Sequence, residues 1–391
     1  MPPSPNKPHT APLPLARLRP RALYVHLPFC ARRCPYCDFA TAPLDRSVER
    51  RYLDALALEV RRRLPEGWRP DTLYLGGGTP AELSSPGIER LVEVLGPYAS
   101  EAREVTLEAN PRTLLPRKLA RLREGLRVGR LSLGAQSFQA ELLETLGRFH
   151  RGSDVARAVE LARSLGVEDV SVDLIYAVPG QELADLERDL DATLALEPTH
   201  VSIYGLTFEP ETAFEAARAR GELSEQPEER QVRFYATLRR RLRGAGFLHY
   251  EISSFARPGR YARHNRVYWR NHPYVGLGNG AASHLRGVRT TNLRDIAAYA
   301  AALEAGQRPV DQVERLDPAS KLRETAYLAL RTSEGIVPAR FLRDTGHEVR
   351  EVFSEELARL TELGLLEEVE GRIRLSGRGV SLADAVAREL L

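Results

Sequence analysis

The stretch Tyr24-Val25-His26-Leu27-Pro28-Phe29-Cys30-Ala31-Arg32-Arg33-Cys34-Pro35-Tyr36-Cys37-Asp38-Phe39 contains every cysteine of the 391-residue chain. An odd number of cysteines crowded into one loop is not a disulfide framework, which spreads an even set along a short secreted chain. The C-x3-C-x2-C spacing instead allows thiolates at Cys30, Cys34 and Cys37 to wrap one iron–sulfur cubane from a single loop. Three sulfurs leave one iron without a protein ligand, and an open position is what separates a catalytic metal from a structural one.

Two other readings use the same residues. Cys34-Pro35-Tyr36-Cys37 has the C-x-x-C form of a glutaredoxin redox pair, but that chemistry has no use for Cys30 and that fold is too small. Three cysteines plus His26 satisfy the ligand count of zinc, although His26 lies on the predicted first strand, where its side chain can simply face the interior.

Outward from this loop the chain repeats one unit: a short β-rich run, a Gly- or Pro-bearing loop, then an amphipathic helix. The runs are Ala22–His26, Thr72–Leu75, Glu104–Glu108, Arg130–Leu133, Asp169–Ile175 and His200–Tyr204, with helical patterns such as Asp45–Leu64 and Leu183–Leu196 between them. Strands alternating with helices predict parallel βαβ units with right-handed crossovers, and six in succession fit a partial α/β barrel. The polar residues Cys30–Cys37, Gly76–Thr79, Glu108–Asn110, Gln136, Asp173 and Tyr204 all fall just past the C-terminal end of a run. That is the edge where parallel α/β folds bind ligands. A lone strand-end carboxylate is about as often a helix cap, so location carries as much of this reading as residue type. Gly76–Gly78 let backbone approach a ligand with no Cβ in the way, whereas a tight turn alone would need one glycine. Gly276-Leu277-Gly278-Asn279-Gly280-Ala281 has the look of a dinucleotide loop but lacks the preceding long strand and the βαβ context, and is discounted.

The sequence divides into three parts. Residues 1–20 carry seven prolines and no apolar stretch, which reads as a disordered tail rather than a signal peptide. Residues 21–291 form the barrel. Residues 292–391 form a smaller α+β, winged-helix-like domain, with helices at Ala319–Arg331, Pro338–Arg343 and Val352–Leu363, a hairpin at Leu365–Val369 and Arg372–Leu375, and a last helix at Leu382–Leu390. From Pro318 to Leu391 there are 13 acids and 11 bases. That balance is opposite to a phosphate-binding surface, so no nucleic-acid partner is expected. Net charge is +3, and no run of 18 apolar residues marks a membrane span. A cytoplasmic location is expected.

The cysteine motif, with an aromatic before its last cysteine, resembles the signature of the radical S-adenosylmethionine (SAM) superfamily. The surrounding sequence is similar to the branch containing oxygen-independent coproporphyrinogen III oxidase and the HemW heme chaperones. The matching motifs are Gly76-Gly77-Gly78-Thr79-Pro80, Glu108-Ala109-Asn110-Pro111, Gly134-Ala135-Gln136-Ser137-Phe138, and Asp173-Leu174-Ile175-Tyr176 with Pro179-Gly180-Gln181. The resemblance implies a partial (β/α)6 TIM-like barrel, a [4Fe–4S] cluster on Cys30, Cys34 and Cys37, and SAM chelated to the open iron and reductively cleaved. It implies SAM contacts from Tyr24, Tyr36, Gly77, Gly78, Thr79, Glu108, Gln136, Arg148 and Asp173.

Two features separate the branches. The oxidase carries a further cysteine two residues after the third, and here that position is Phe39. His264-Asn265-Arg266-Val267-Tyr268-Trp269 fits the HNxxYW pattern associated with heme in the HemW branch, with His264, Asn265, Tyr268 and Trp269 as heme contacts and His264 as the iron ligand. Imidazole can ligate heme iron and aromatic rings can line a macrocycle; the plain alternative is a satisfied loop histidine with two packing aromatics. The resemblance thus points to a heme chaperone serving heme-accepting proteins, among them membrane-associated respiratory enzymes. No catalytic residue is assigned. The alternative is a coproporphyrinogen oxidase or another radical enzyme acting on a tetrapyrrole. A homodimer is the family expectation.

Overall fold

The structure, a computed structural model, describes residues 14–391. The six predicted runs are six strands: β1 (Ala22–Leu27), β2 (Thr72–Gly77), β3 (Glu104–Ala109), β4 (Arg130–Gln136), β5 (Asp169–Tyr176) and β6 (His200–Gly205). Three shorter strands complete the sheet: β7 (Leu248–Glu251), β8 (Ser254–Ala256) and β9 (Val275–Leu277). The order is β9-β1-β2-β3-β4-β5-β6-β8-β7. β9 through β6 are parallel neighbours, and β8 and β7 close the far edge antiparallel. The glycine-rich segment at 276–281 is therefore barrel structure, because Val275–Leu277 is itself the edge strand beside β1.

Each of the six long strands alternates. Leu23, Val25, Leu73, Leu75, Val105, Leu107, Leu131, Leu133, Val170, Val172, Val201 and Ile203 are buried in one apolar core with residues of the flanking helices, such as Leu53, Leu56, Leu91, Leu122, Val159 and Leu190. The residues between them are polar and meet each other inside the curl of the sheet. Tyr74 donates to Glu108 Oε1 at 2.7 Å, Ser132 to Asp173 Oδ2 at 2.6 Å, and Arg130 to Asp169 Oδ1 at 2.9 Å. This side-chain period of 2 gives one face to the helices and the other to a polar lumen.

The edge strand β9 is held by a buried carboxylate. Glu59, on the helix Arg46–Arg63, is fully buried. It accepts from Gly278 N at 2.8 Å, Asn292 Nδ2 at 2.9 Å, Tyr299 Oη at 2.7 Å and Arg63 Nη1 at 2.7 Å. The helix Ile296–Glu304 packs here too, since Tyr299, Ala300 and Leu303 belong to the barrel's core. A second core starts at Leu322 and runs to Leu390. The last buried residue of the first core is Leu303 and the first of the second is Leu322.

The C-terminal elements follow the predicted order. Helices Pro318–Leu330, Pro338–Thr345 and Ser354–Glu362 precede the hairpin Leu366–Val369/Arg372–Leu375 and the helix Ala383–Leu390. The helix expected to start at Val352 instead breaks at buried Phe353, which ends the short helix Val349–Val352. Residues 1–13 of the expected tail lie outside the described residues. Pro14–Arg17, which that expectation also covered, forms one 3-10 turn, with Pro14 against Gly346.

Removing the Glu59 carboxylate strands several buried donors at once. Glu59→Ala should cost about 3–5 kcal/mol in urea unfolding, whereas Arg51→Ala, which breaks an exposed pair with Glu304, should be near neutral.

Candidate cluster and ligand site

The cysteine loop leaves β1 and is tied down by backbone on every side. Its two ends pair as a short parallel ladder, Phe29 with Ala42 and Cys30 with Pro43. Phe29 O accepts from Thr79 N at 2.8 Å, Pro35 O from Phe214 N at 3.0 Å and Cys34 O from Cys37 N at 3.1 Å. Two side chains reach the sulfurs themselves. Cys30 Sγ lies 3.7 Å from Thr79 Oγ1, and Arg148 Nη1 donates to Cys34 Sγ at 3.5 Å while its Nη2 donates to Gly134 O at 2.8 Å. Arg148 therefore clamps the loop to the end of β4, and its buried Nε has no hydrogen-bond partner among the described residues. Burial pushes the Cys30 thiol up to about 11 and raises Cys37 as well.

All three thiols are free and line one cavity of about 390 Å³ at the C-terminal ends of the strands. Eleven of the predicted residues meet there: Cys30, Cys34, Cys37, Tyr36, Gly77, Gly78, Thr79, Glu108, Gln136, Arg148 and Asp173. Tyr74, Asn110, Ser132 and Tyr204 join them. Tyr74 was missed as a site residue because it sits inside a strand; the signal for it was the alternation, which places it on the same face as Glu108. Three sulfurs beside a cavity of this volume fit a cubane with one open iron and a ligand of cofactor size. No three His, Cys, Asp or Glu side chains among the described residues gather as the ligands of a single metal ion. His26, the fourth ligand of the zinc alternative, is engaged at both nitrogens, taking a hydrogen bond from Tyr24 Oη at 3.0 Å and donating to Ala40 O at 3.1 Å.

Three carboxylates line the cavity: Glu108, Asp173 and Glu209. Glu108 also accepts from Gly77 N at 2.9 Å, and burial nevertheless pushes its carboxyl up to about 7. Asp173 is raised by burial against three serine donors, Ser132, Ser171 and Ser202. Gln136 reaches the cavity from a bulge in β4, where the register shifts and its backbone is left-handed at φ 65°. The three glycines after β2 have reasons within the protein as well. A Cβ on Gly76 would lie 2.7 Å from the Glu108 carboxyl, on Gly77 (φ 97°) 2.1 Å from the His26 ring, and on Gly78 2.6 Å from Leu27 O.

The remaining predicted residues are elsewhere. Tyr24 lies in the lumen, bonded to His26, and is absent from the cavity wall. The HNxxYW segment forms the helix Arg263–Trp269 across the opposite end of the barrel. Glu104, the first residue of β3, caps it by accepting from Arg263 N at 2.8 Å and His264 N at 2.9 Å. His264 is buried; its Nδ1 pairs with Thr72 Oγ1 and its Nε2 with Tyr268 Oη, each at 2.8 Å. As placed, it has no free nitrogen for iron, and burial lowers its imidazole to about 3. A strand length, roughly 17–20 Å, separates it from the cysteines. Trp269 stands apart from this closed pair, with the Arg331 guanidinium 4.7 Å over its ring.

Residues 24–193 match the radical SAM superfamily and residues 316–382 the HemN C-terminal domain. The chain is 34% identical to the heme chaperone HemW of Bacillus subtilis, over 94% of this chain and 98% of that one. It is 38% identical to the heme chaperone HemW of Synechocystis, over 83% and 81%. In fold it is similar to coproporphyrinogen III oxidase (HemN) of Escherichia coli, a radical SAM enzyme, with TM-score 0.82 at 23% identity over 96% of this chain and 91% of that one. The chain belongs to the HemW family of the radical SAM superfamily.

Glu108 gives a stability test free of any ligand. Between the ordinary carboxylate range and about 7, the folded chain keeps a proton on Glu108 that the unfolded chain has released. The contribution of Glu108 to stability therefore falls as pH rises across that interval and levels off above it. Glu108→Gln removes the ionisation, so its Tm relative to the parent should be higher at pH 8 than at pH 5.

Proposed function

We propose that this member of the HemW family is a heme chaperone that holds a [4Fe–4S] cluster on Cys30, Cys34 and Cys37, binds SAM in the adjoining cavity, and delivers heme to acceptor proteins. The observation that carries the reading is the end-to-end match to heme chaperones. Phe39 supports it: this side chain stands where the oxidase branch has a further cysteine, and it is 55% exposed at the rim of the cavity.

When bound, a reduced cluster supplies one-electron chemistry toward the SAM sulfonium. The chain's own residues position the ligand. Glu108 and Asp173 present carboxylate oxygens to its ammonium and hydroxyl groups, and Tyr74 and Gly77 fix the Glu108 rotamer. Gly77, Gly78 and Thr79 offer backbone, Gln136 an amide, and Tyr36 with Ile175 and Leu206 an apolar wall that keeps water out. Arg148 acts through Cys34, fixing the loop from below, and Tyr24 acts through His26. Of the HNxxYW residues, Trp269 lines a cleft facing the C-terminal domain, while His264 and Tyr268 pair with each other in the barrel floor.

The acceptors in this reading are heme proteins, with membrane-associated respiratory enzymes the first to try, and the chaperone works as a cytoplasmic homodimer. No helix among the described residues is long and apolar enough to cross a membrane. Likeness to the oxidase rests on fold at low identity and does not carry its reaction.

Anaerobic reconstitution should give about four irons per chain with broad visible absorption, and Cys37→Ala should lose both. The reconstituted protein should bind hemin and speed heme loading of an apo-acceptor. Absence of hemin binding, or conversion of coproporphyrinogen III under reducing conditions, would overturn the chaperone reading. At pH 8, Glu108→Gln should weaken SAM binding about tenfold, the size of one charge-assisted hydrogen bond, with a smaller effect at pH 6 where Glu108 already holds a proton.

A further inference from the structure

A second cavity, of about 260 Å³, lies between the barrel floor and the C-terminal domain. The floor side supplies Tyr261, Arg266, Trp269 and Arg270, and the C-terminal side Glu334, Arg340, Phe341, Asp344 and Arg372. Its charge is unbalanced, with four guanidinium groups against two carboxylates, and both carboxylates are already engaged. Glu334 accepts both arms of Arg340, at 2.8 and 2.7 Å. Asp344 accepts from Arg343 at 2.9 Å and faces His272 at 3.5 Å. Arg270 reaches Glu334 only at 3.9 Å. Arg266 lies over the Tyr261 ring at 5.6 Å, and neither it nor Arg372 has a carboxylate within 4 Å among the described residues. Arg270 is half-buried, and its affinity for a proton is lowered first by burial and then by the neighbouring charges of Arg266 and Arg340.

Three guanidinium groups crowded at a cleft without full counter-charge attract an anion, and their planar forks favour carboxylate. The walls beside them are aromatic, and the buried indole N–H of Trp269 has no partner among the described residues. Such a lining suits a flat, largely apolar molecule with carboxylates on one edge, its body against Trp269 and Tyr261.

We infer that this interdomain cleft receives the propionate edge of heme, with Arg266 and Arg270 pairing the carboxylates and the C-terminal domain forming the second wall. The inference rests on the chaperone reading and adds to it a place for the cargo, on the face of the molecule opposite the cysteines. It gives the C-terminal domain a part in binding, because Arg340, Phe341 and Arg372 come from that domain.

The test titrates cluster-loaded protein with hemin and with hemin dimethyl ester, which keeps the ring and iron but lacks the two charges. The parent should prefer hemin to the diester by about tenfold or more. The double variant Arg266→Gln/Arg270→Gln should lose that preference by weakening for hemin alone, with cluster absorbance and SAM binding unchanged as proof of fold. Arg270→Lys, which keeps the charge but not the fork, should fall between. If the parent binds hemin and the double variant binds it equally well, or if the double variant weakens for hemin and the diester alike, the cleft assignment is overturned while the chaperone reading stands. If the parent binds no hemin, the reading itself falls and takes the cleft assignment with it.

Discussion

A polar group inside a barrel must find a partner, because leaving one unpaired away from water costs several kcal/mol. The lumen of this protein is polar from floor to rim, and much of the structure follows from how its hydrogen bonds close on one another. Ser132 and Ser171 both donate to Asp173. Ser171 lies 2.9 Å from His200 Nδ1, and His200 Nε2 lies 2.8 Å from Tyr250 Oη. The chain of contacts thus runs from a carboxylate on the cluster-side cavity to a tyrosine that lines the interdomain cleft. On the other side of the lumen, Glu108 holds Tyr74, whose ring lies 5.1 Å from that of His264.

This arrangement assigns the two ends of the barrel different work. At the C-terminal ends of the strands, carboxylates, glycines and thiols face open volume, and each is held by a neighbour rather than by its own flexibility. At the N-terminal ends, Glu104, Thr72 and the helix Arg263–Trp269 seal the lumen. His264 sits in that seal, buried and bonded at both ring nitrogens. The same helix turns its other residues, Arg266 and Trp269, toward the C-terminal domain.

The glycines after β2 show how two demands can fall on one motif. Gly76 to Gly78 border the cavity region, yet each is also required by contacts within the protein, most severely Gly77 beside His26. Their presence is thus weaker evidence for a ligand than the thiols are. The stronger evidence is convergence: residues from six separate strand ends line a single volume.

Much of this was legible in the chain. The three-cysteine spacing announced a cluster, the alternation of short strands and helices announced the barrel, and the polar residues after each strand announced the face of the site. These are local signals, set by side-chain type and by periods of 2 and 3.6 residues. The tertiary structure alone decided the rest. Arg148 meets Cys34 across 114 residues of sequence, and β9 joins β1 because Glu59 offers a carboxylate to backbone some 219 residues away. His264 is turned inward because Thr72 and Tyr268 satisfy it there. No local pattern encodes these, since each depends on which end of a strand faces a distant segment once the sheet has curled.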